Sequence, residues 1–234
     1  MRKSIPVLTF GTILFLISAI AKGAIVTVEI SAPGMQSSTV PENLRQTESF
    51  DLFPGGLLSS TPSLIGSIST SGSPKVQNAD VDGGASLSGK YVLTNSGEVS
   101  ISFSGNNTKY LGFWWSTVGD NDQVQLFGIQ NSSTESLLKT VTASDIYLLT
   151  GGTEGQISNS PYFGNPNTNT NQGWAYVYVN LTTAVSDIYF SRAVFSGTYF
   201  EFDNVSVSSV PEPSTLSLLA IGLGGLTILR RRRS

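Results

Sequence analysis

Asp80-Val81-Asp82-Gly83-Gly84 and Asp120-Asn121-Asp122 set carboxylates two residues apart in turn-rich surroundings. Oxygen ligands so spaced suit a hard cation such as calcium. Asp80 and Asp82, with Asp203 nearer the C-terminus, are the candidate ligands of a structural calcium ion. Neither stretch completes an EF-hand, which also needs a bidentate Glu at its twelfth position, and solvated turn carboxylates are the plainer reading. The chain has no histidine and no cysteine. Zinc and copper therefore lack their usual ligands, and a Ser-His-Asp triad or a Cys-His pair is impossible. A glycosidase needs two carboxylates across one cleft, and no spacing in the sequence pairs any two. The expectation is a protein that is not an enzyme, with no catalytic residue and no cofactor beyond that calcium.

Flat aromatic rings offer a second kind of chemistry, because sugar C–H faces stack on them while Asn, Gln and Asp satisfy the hydroxyls. In KYLGFWWS, alternation puts Leu111, Phe113 and Trp115 on one face of a strand and Tyr110, Gly112 and Trp114 on the other. In WAYVYVNL, Ala175, Val177, Val179 and Leu181 read as core, leaving Trp174, Tyr176, Tyr178 and Asn180 opposite. Trp114, Tyr176 and Tyr178 are thus the candidate ligand-binding residues of a carbohydrate-binding sheet face, with Asn121 or Asn180 beside them. The competing expectation is that the loop from Gly151 to Gly173 folds over this face and buries it.

The elements that must position these residues are short alternating or apolar runs separated by turn residues, an all-β pattern. Strands are expected at 24–30, 90–94, 99–104, 110–116, 123–130, 137–141, 174–181, 187–194 and 199–208. Residues 143–149 suggest a helical turn capped by Ser144. Nine short strands in one domain favour a two-sheet sandwich of jelly-roll type. Residues 31–88 are rich in Ser, Gly and Pro, with 49–53 the best strand within them, and 151–173 form a long Gly/Asn/Thr loop. Near the end, Phe200 and Phe202 share one parity while Val205 and Val207 take the other. Both sets can be buried only if the strand contains a β-bulge, expected at Asp203-Asn204.

The two ends read as processing segments. Residues 1–21 have a short basic start, an apolar stretch and small residues at Ala19 and Ala21, the layout of a secretory signal peptide cleaved after Ala21, with Gly23 as a second candidate. Residues 22–209 then form the exported domain, and 210–234 a separate tail. Between the ends the domain keeps 7 basic and 15 acidic residues, so its charge is near −8. No basic patch survives for nucleic acid. In the tail, 214–229 is a single short transmembrane segment of 16 residues, reaching about 24 Å against a hydrocarbon core of ~30 Å. Arg230, Arg231, Arg232 and Arg233 form a stop-transfer cluster held on the cytoplasmic side. Pro211 and Pro213 disfavour helix and leave Glu212 on an extended neck, the form a protease engages.

Pro211-Glu212-Pro213, a Gly-interrupted apolar segment and an arginine cluster, in that order, resemble a PEP-CTERM sorting signal. The resemblance implies that Pro211, Glu212 and Pro213 are recognised by an exosortase, a membrane-embedded enzyme of Gram-negative bacteria that make exopolysaccharide. It also implies a passage through the secretion machinery, a transient stay in the inner membrane, removal of the tail, and delivery to the cell surface or extracellular matrix. The run YLGFWWSTVGDNDQVQLF, the Gly/Asn/Pro loop and the closing FEFDNVSV are similar to a β-rich exosortase-dependent surface-protein family found largely in cyanobacteria. Phe202-Asp203-Asn204-Val205 also resembles the closing strand of carbohydrate-binding jelly rolls. The function so implied is a structural or interaction role within exopolysaccharide, the alternative being a carbohydrate-binding module using an exposed aromatic face.

Overall fold

The structure is a computed structural model that describes residues 25–79, 83–85, 89–130, 134–153, 155, 160–163 and 173–209. The N-terminal segment 1–21, the tail segment 214–229 and the pair Asp80 and Asp82 lie outside the described residues.

Two antiparallel sheets face each other. The first contains β1 (Thr27–Ile30), β2 (Gln46–Glu48), β3 (Gly56–Leu57), β6 (Lys75–Asn78), β7 (Lys90–Leu93), β9 (Tyr110–Ser116), β12 (Val177–Thr182) and β14 (Glu201–Ser208). Its order is β1-β12-β9-β14-β7-β6-β3, with β2 also pairing β14. The second contains β4 (Thr61–Ser63), β5 (Gly66–Ser71), β8 (Glu98–Phe103), β10 (Gln123–Gln130), β11 (Glu135–Thr142) and β13 (Ile188–Ser196), in the order β11-β10-β13-β8-β5-β4. From β7 to β10 the chain changes sheet at each connection. The turn residues at 95–97, 105–107 and 119–122 therefore serve as arches between sheets. The fold is a β-sandwich and not a closed barrel, as the strand pattern requires.

Alternation explains the core. Leu111, Phe113 and Trp115 of β9 and Val177, Val179 and Leu181 of β12 all enter one buried cluster between the sheets. Phe195 of β13 stacks on Phe202 of β14 at 4.2 Å between ring centroids, and Trp115 stacks on Phe200 at 4.5 Å. The Phe195–Phe202 pair bridges the two layers, and buried aromatic area of this kind contributes heavily to stability.

The expected bulge is present. Along the β9–β14 ladder Asp203 faces Trp114 and Ser206 faces Gly112, so β14 carries one extra residue, and Asn204 takes φ +50°. Asn is among the few residue types that tolerate this left-handed conformation. The extra residue switches parity, which lets Phe202, Val205 and Val207 all enter the core.

Three details differ from the sequence expectations. The helix α1 (Ala143–Thr150) is capped by Thr142 instead of Ser144: the Thr142 side chain accepts from Asp145 N, and Asp145 Oδ2 accepts from Thr142 N at 2.8 Å. A capping box satisfies two donors at once and so outcompetes a cap two residues later. Residues 49–53 are a turn instead of a strand, with Phe50 at φ +57° and Phe53 N bonded to Phe50 O. Phe50 is driven inward against Phe202 at 5.7 Å, and the Glu48 carboxylate accepts from its N–H, which closes the turn. The stretch expected to be mostly loop, 31–88, instead contains β2 to β6. Among the described residues, no helix is long and apolar enough to cross a membrane.

Candidate functional site

The outer face of the first sheet brings together the three candidate aromatics. Trp114, Tyr176 and Tyr178 form one buried cluster at 0, 2 and 1% exposure. Their parity is as the sequence indicates, but the face is not exposed, so the expectation of an open aromatic platform at these three residues is corrected. Among the described residues the cover includes segments of the N-terminal half, while residues 154, 156–159 and 164–172 of the loop expected to bury this face lie outside them. Trp114 Nε1 donates to Gly83 O at 3.0 Å, Asn180 Nδ2 donates to Ser31 Oγ at 2.9 Å, and Asn204 Nδ2 donates to Gln36 O at 3.0 Å. Tyr110 Oη donates to Asn180 Oδ1 at 2.9 Å and lies 2.7 Å from Ser38 Oγ. Buried polar atoms need such partners, and segments 31–40 and 83–85 supply them. The loop at 151–173 contributes the Tyr176 N to Tyr162 O bond.

Gly112 makes this layer possible. A Cβ at that position would lie 2.1 Å from Tyr110 Oη and 2.7 Å from the Tyr178 ring. Through that gap Tyr178 crosses β9 and donates from Oη to Asn204 O on the bulge at 3.1 Å.

Asp203 lies beneath the same cover, 3% exposed, and its Oδ1 has no hydrogen-bond partner among the described residues. Burial pushes its carboxyl well above the usual range, the Asn204 N–H opposes this, and nearby Asp51 and Glu48 push it further up. Glu48 is already committed: its oxygens accept from Phe50 N, Ser63 Oγ and Leu64 N. Among the described residues no group of three carboxylates could hold a metal ion.

An open aromatic site lies elsewhere. At one end of the sandwich a cleft of about 410 Å³ is lined by Thr117, Gly119, Asp120, Asn121 and Asp122 of the β9–β10 arch, by Trp174, and by Thr198 and Tyr199 of the β13–β14 arch. Trp174 is 38% exposed and Tyr199 68%. The backbone around them is fixed. Val118 N donates to Ala175 O, which holds the chain beside Trp174 against the first arch; Ser96 N donates to Thr198 O, and Thr94 Oγ1 to Gly197 O, which fix the second.

Asp122 forms the floor. It is 4% exposed, its Oδ2 accepts from Gly119 N at 3.1 Å, and its Oδ1 is packed so tightly on Gly197 that a Cβ there would come within 2.0 Å. Burial raises its carboxyl to about 6, opposed by the Gly119 N–H. Sequence reasoning named Asn121 and Trp174 only in passing and missed Tyr199. The available signal was a large aromatic set in turn residues, Ser196-Gly197-Thr198-Tyr199, where a ring has no strand partner to pack on.

β14 links this cleft to the tail. It begins after Tyr199 and ends at Ser208, whose Oγ donates to Leu44 O. Ser208 pairs with Tyr110 at the start of β9, and Glu201 pairs with Ser116 at its end. The chain therefore leaves the sandwich at the end opposite the cleft.

No curated protein matches the chain. Among solved structures, TmCBM61 in complex with β-1,4-galactotriose aligns at 13% identity over 62% of this chain and 88% of that one, with a TM-score of 0.25. The family 11 carbohydrate-binding module of a cellulosomal cellulase of Clostridium thermocellum aligns at 13% identity over 71% of this chain and 96% of that one, with a TM-score of 0.22. The sequence profile of the PEP-CTERM protein-sorting motif matches residues 209–233, beginning on the residue after β14. The chain is thus a β-sandwich that carries a PEP-CTERM protein-sorting motif, the mark of an exported, exosortase-dependent protein that is membrane-anchored before processing and surface-associated afterwards.

Proposed function

We propose that this protein is a non-catalytic component of the bacterial surface or extracellular matrix, sorted by exosortase through its tail and working in contact with exopolysaccharide. The observation that carries the reading is the matched motif placed directly after the last strand. A signal peptide at residues 1–21 starts export, segment 214–229 halts the chain in the inner membrane, and Arg230 to Arg233 hold the tail inside. Recognition falls on Pro211, Glu212 and Pro213. The burial of Trp114, Tyr176 and Tyr178 favours a structural or interaction role over binding on the sheet face. A non-catalytic role is supported by Asp122, which is buried, with Oδ2 accepting from Gly119 N, and so is not presented to a glycosidic bond.

The test is to change Pro211, Glu212 and Pro213 together to Ala in the native host and weigh the C-terminus by mass spectrometry. The expected result is full-length chain accumulating in the inner membrane while the wild type reaches the surface without its arginines. Normal processing of the triple variant would refute the assignment.

A further inference from the structure

We infer that the cleft between the β9–β10 and β13–β14 arches is a glycan-binding site for an uncharged polysaccharide, with Trp174 and Tyr199 as its stacking surfaces. The inference deepens the proposed matrix role and rests on it. Two partly exposed aromatic rings line one concavity with Asn121, Thr117 and Thr198. This combination gives flat apolar surface for sugar C–H faces and polar groups for the hydroxyls. At about 410 Å³ the cleft falls within the roughly 300–1,000 Å³ of small-molecule sites.

The charge of the lining selects the ligand class. Asp120 lines the cleft above the buried Asp122, and among the described residues no Lys or Arg lines it. A uronate, sulfated or phosphorylated chain would meet the Asp120 carboxylate and no cationic side chain among the described lining residues, which costs affinity and turns such partners away. A neutral hexose polymer meets acceptors for its hydroxyls and no repulsion.

The backbone that carries the rings needs no ligand to hold its place. The bonds from Val118 to Ala175, from Ser96 to Thr198 and from Thr94 to Gly197 fix both arches in advance, so little ordering cost falls on binding. Position agrees with the role. The eight residues of β14, at ~3.4 Å each, separate the cleft from the tail by about 27 Å. The cleft therefore lies at the end of the sandwich opposite the one where the chain leaves β14.

The probes are a neutral β-glucan, a galactan and a mannan, with polygalacturonate as the anionic comparison. The full chain, purified in a non-glycoside detergent, is run through native gels containing each polymer. Retardation on at least one neutral polymer and none on polygalacturonate is expected. Trp174→Ala and Tyr199→Ala should each weaken binding about tenfold or more, with near-UV circular dichroism unchanged, because both rings are partly or largely exposed. Trp174→Phe should retain most of the binding, since it keeps a ring.

Fluorescence gives an independent reading. Trp114 and Trp115 are fully buried, so Trp174 dominates quenching by acrylamide, and a bound oligosaccharide should reduce it. Absence of retardation on every neutral polymer, unchanged binding by both Ala variants, or stronger retention on polygalacturonate would each overturn the inference. Release of reducing ends from a bound polymer would overturn the non-catalytic role instead. A chain that is correctly processed in the host but binds nothing refutes the glycan site and leaves the sorting assignment standing.

Discussion

Asp122 links one buried carboxyl to the stability of the whole domain. Its group is raised from an ordinary 3.8 to about 6 in the folded state, mainly because burial disfavours the charge. A carboxyl raised on folding leaves stability intact below its unfolded value, and stability is lost as pH rises through the folded one. The fold should therefore lose up to about 3 kcal/mol between roughly pH 4 and pH 7 from this residue. Asp122→Asn keeps an oxygen for Gly119 N and carries no charge. Its melting temperature should exceed the wild type's at pH 7.5, with the difference gone at pH 4. An identical pH slope in the two proteins would show that Asp122 carries no such cost. None of this was readable in Asp120-Asn121-Asp122, where turn carboxylates suggest solvent. By contrast, the Asp203-Asn204 bulge was readable, because two apolar parities on one strand leave no alternative to an extra residue.

At the scale of elements, the layer over the first sheet depends on how closely β9, β12 and β14 approach at Gly112. Tyr178 reaches from β12 across Gly112 to the bulge carbonyl on β14, and Tyr110 folds back over the same spot. Gly112→Ala should push both rings outward and destabilise the domain by about 1–3 kcal/mol, the usual range for an overpacked core. Chemical denaturation would measure it, and a change below 0.5 kcal/mol would mean the layer is loose. The long strands around this layer, β8 to β10 and β12 to β14, follow from apolar alternation alone. The strands β2 to β6 do not, because sequences such as Gly66-Ser67-Ile68-Ser69-Thr70-Ser71 have one apolar residue and take their extended form from pairing with neighbours such as β8. The covering segment at 31–40 is harder still to foresee. Its side chains are ordinary, and its place comes from long-range bonds to Tyr110, Asn180 and Asn204 together with Arg45 Nη1 donating to Ser38 O and Val40 O.

For the whole molecule, charge and chain order set the route. On the topology proposed above, the four arginines at 230–233 would keep the tail's end inside, and the sandwich would emerge on the other face of the inner membrane. In spheroplasts holding the Ala-Ala-Ala neck variant, external protease should digest the sandwich and leave a small membrane-protected tail fragment. Protection of the entire chain would place the domain in the cytosol and undo the export reading. Composition, alternation and the C-terminal motif determined by themselves that the protein is an all-β sandwich with a sorting tail, because these depend on local periodicity and on short contiguous signals. The parity of Trp114, Tyr176 and Tyr178 was equally local. Whether they meet solvent was not, since exposure depends on distant segments folding back over them, and only the tertiary structure decided that those rings are covered. The same long-range packing brought Trp174 and Tyr199, apart in sequence and on separate connections, to one open cleft at the far end from the tail.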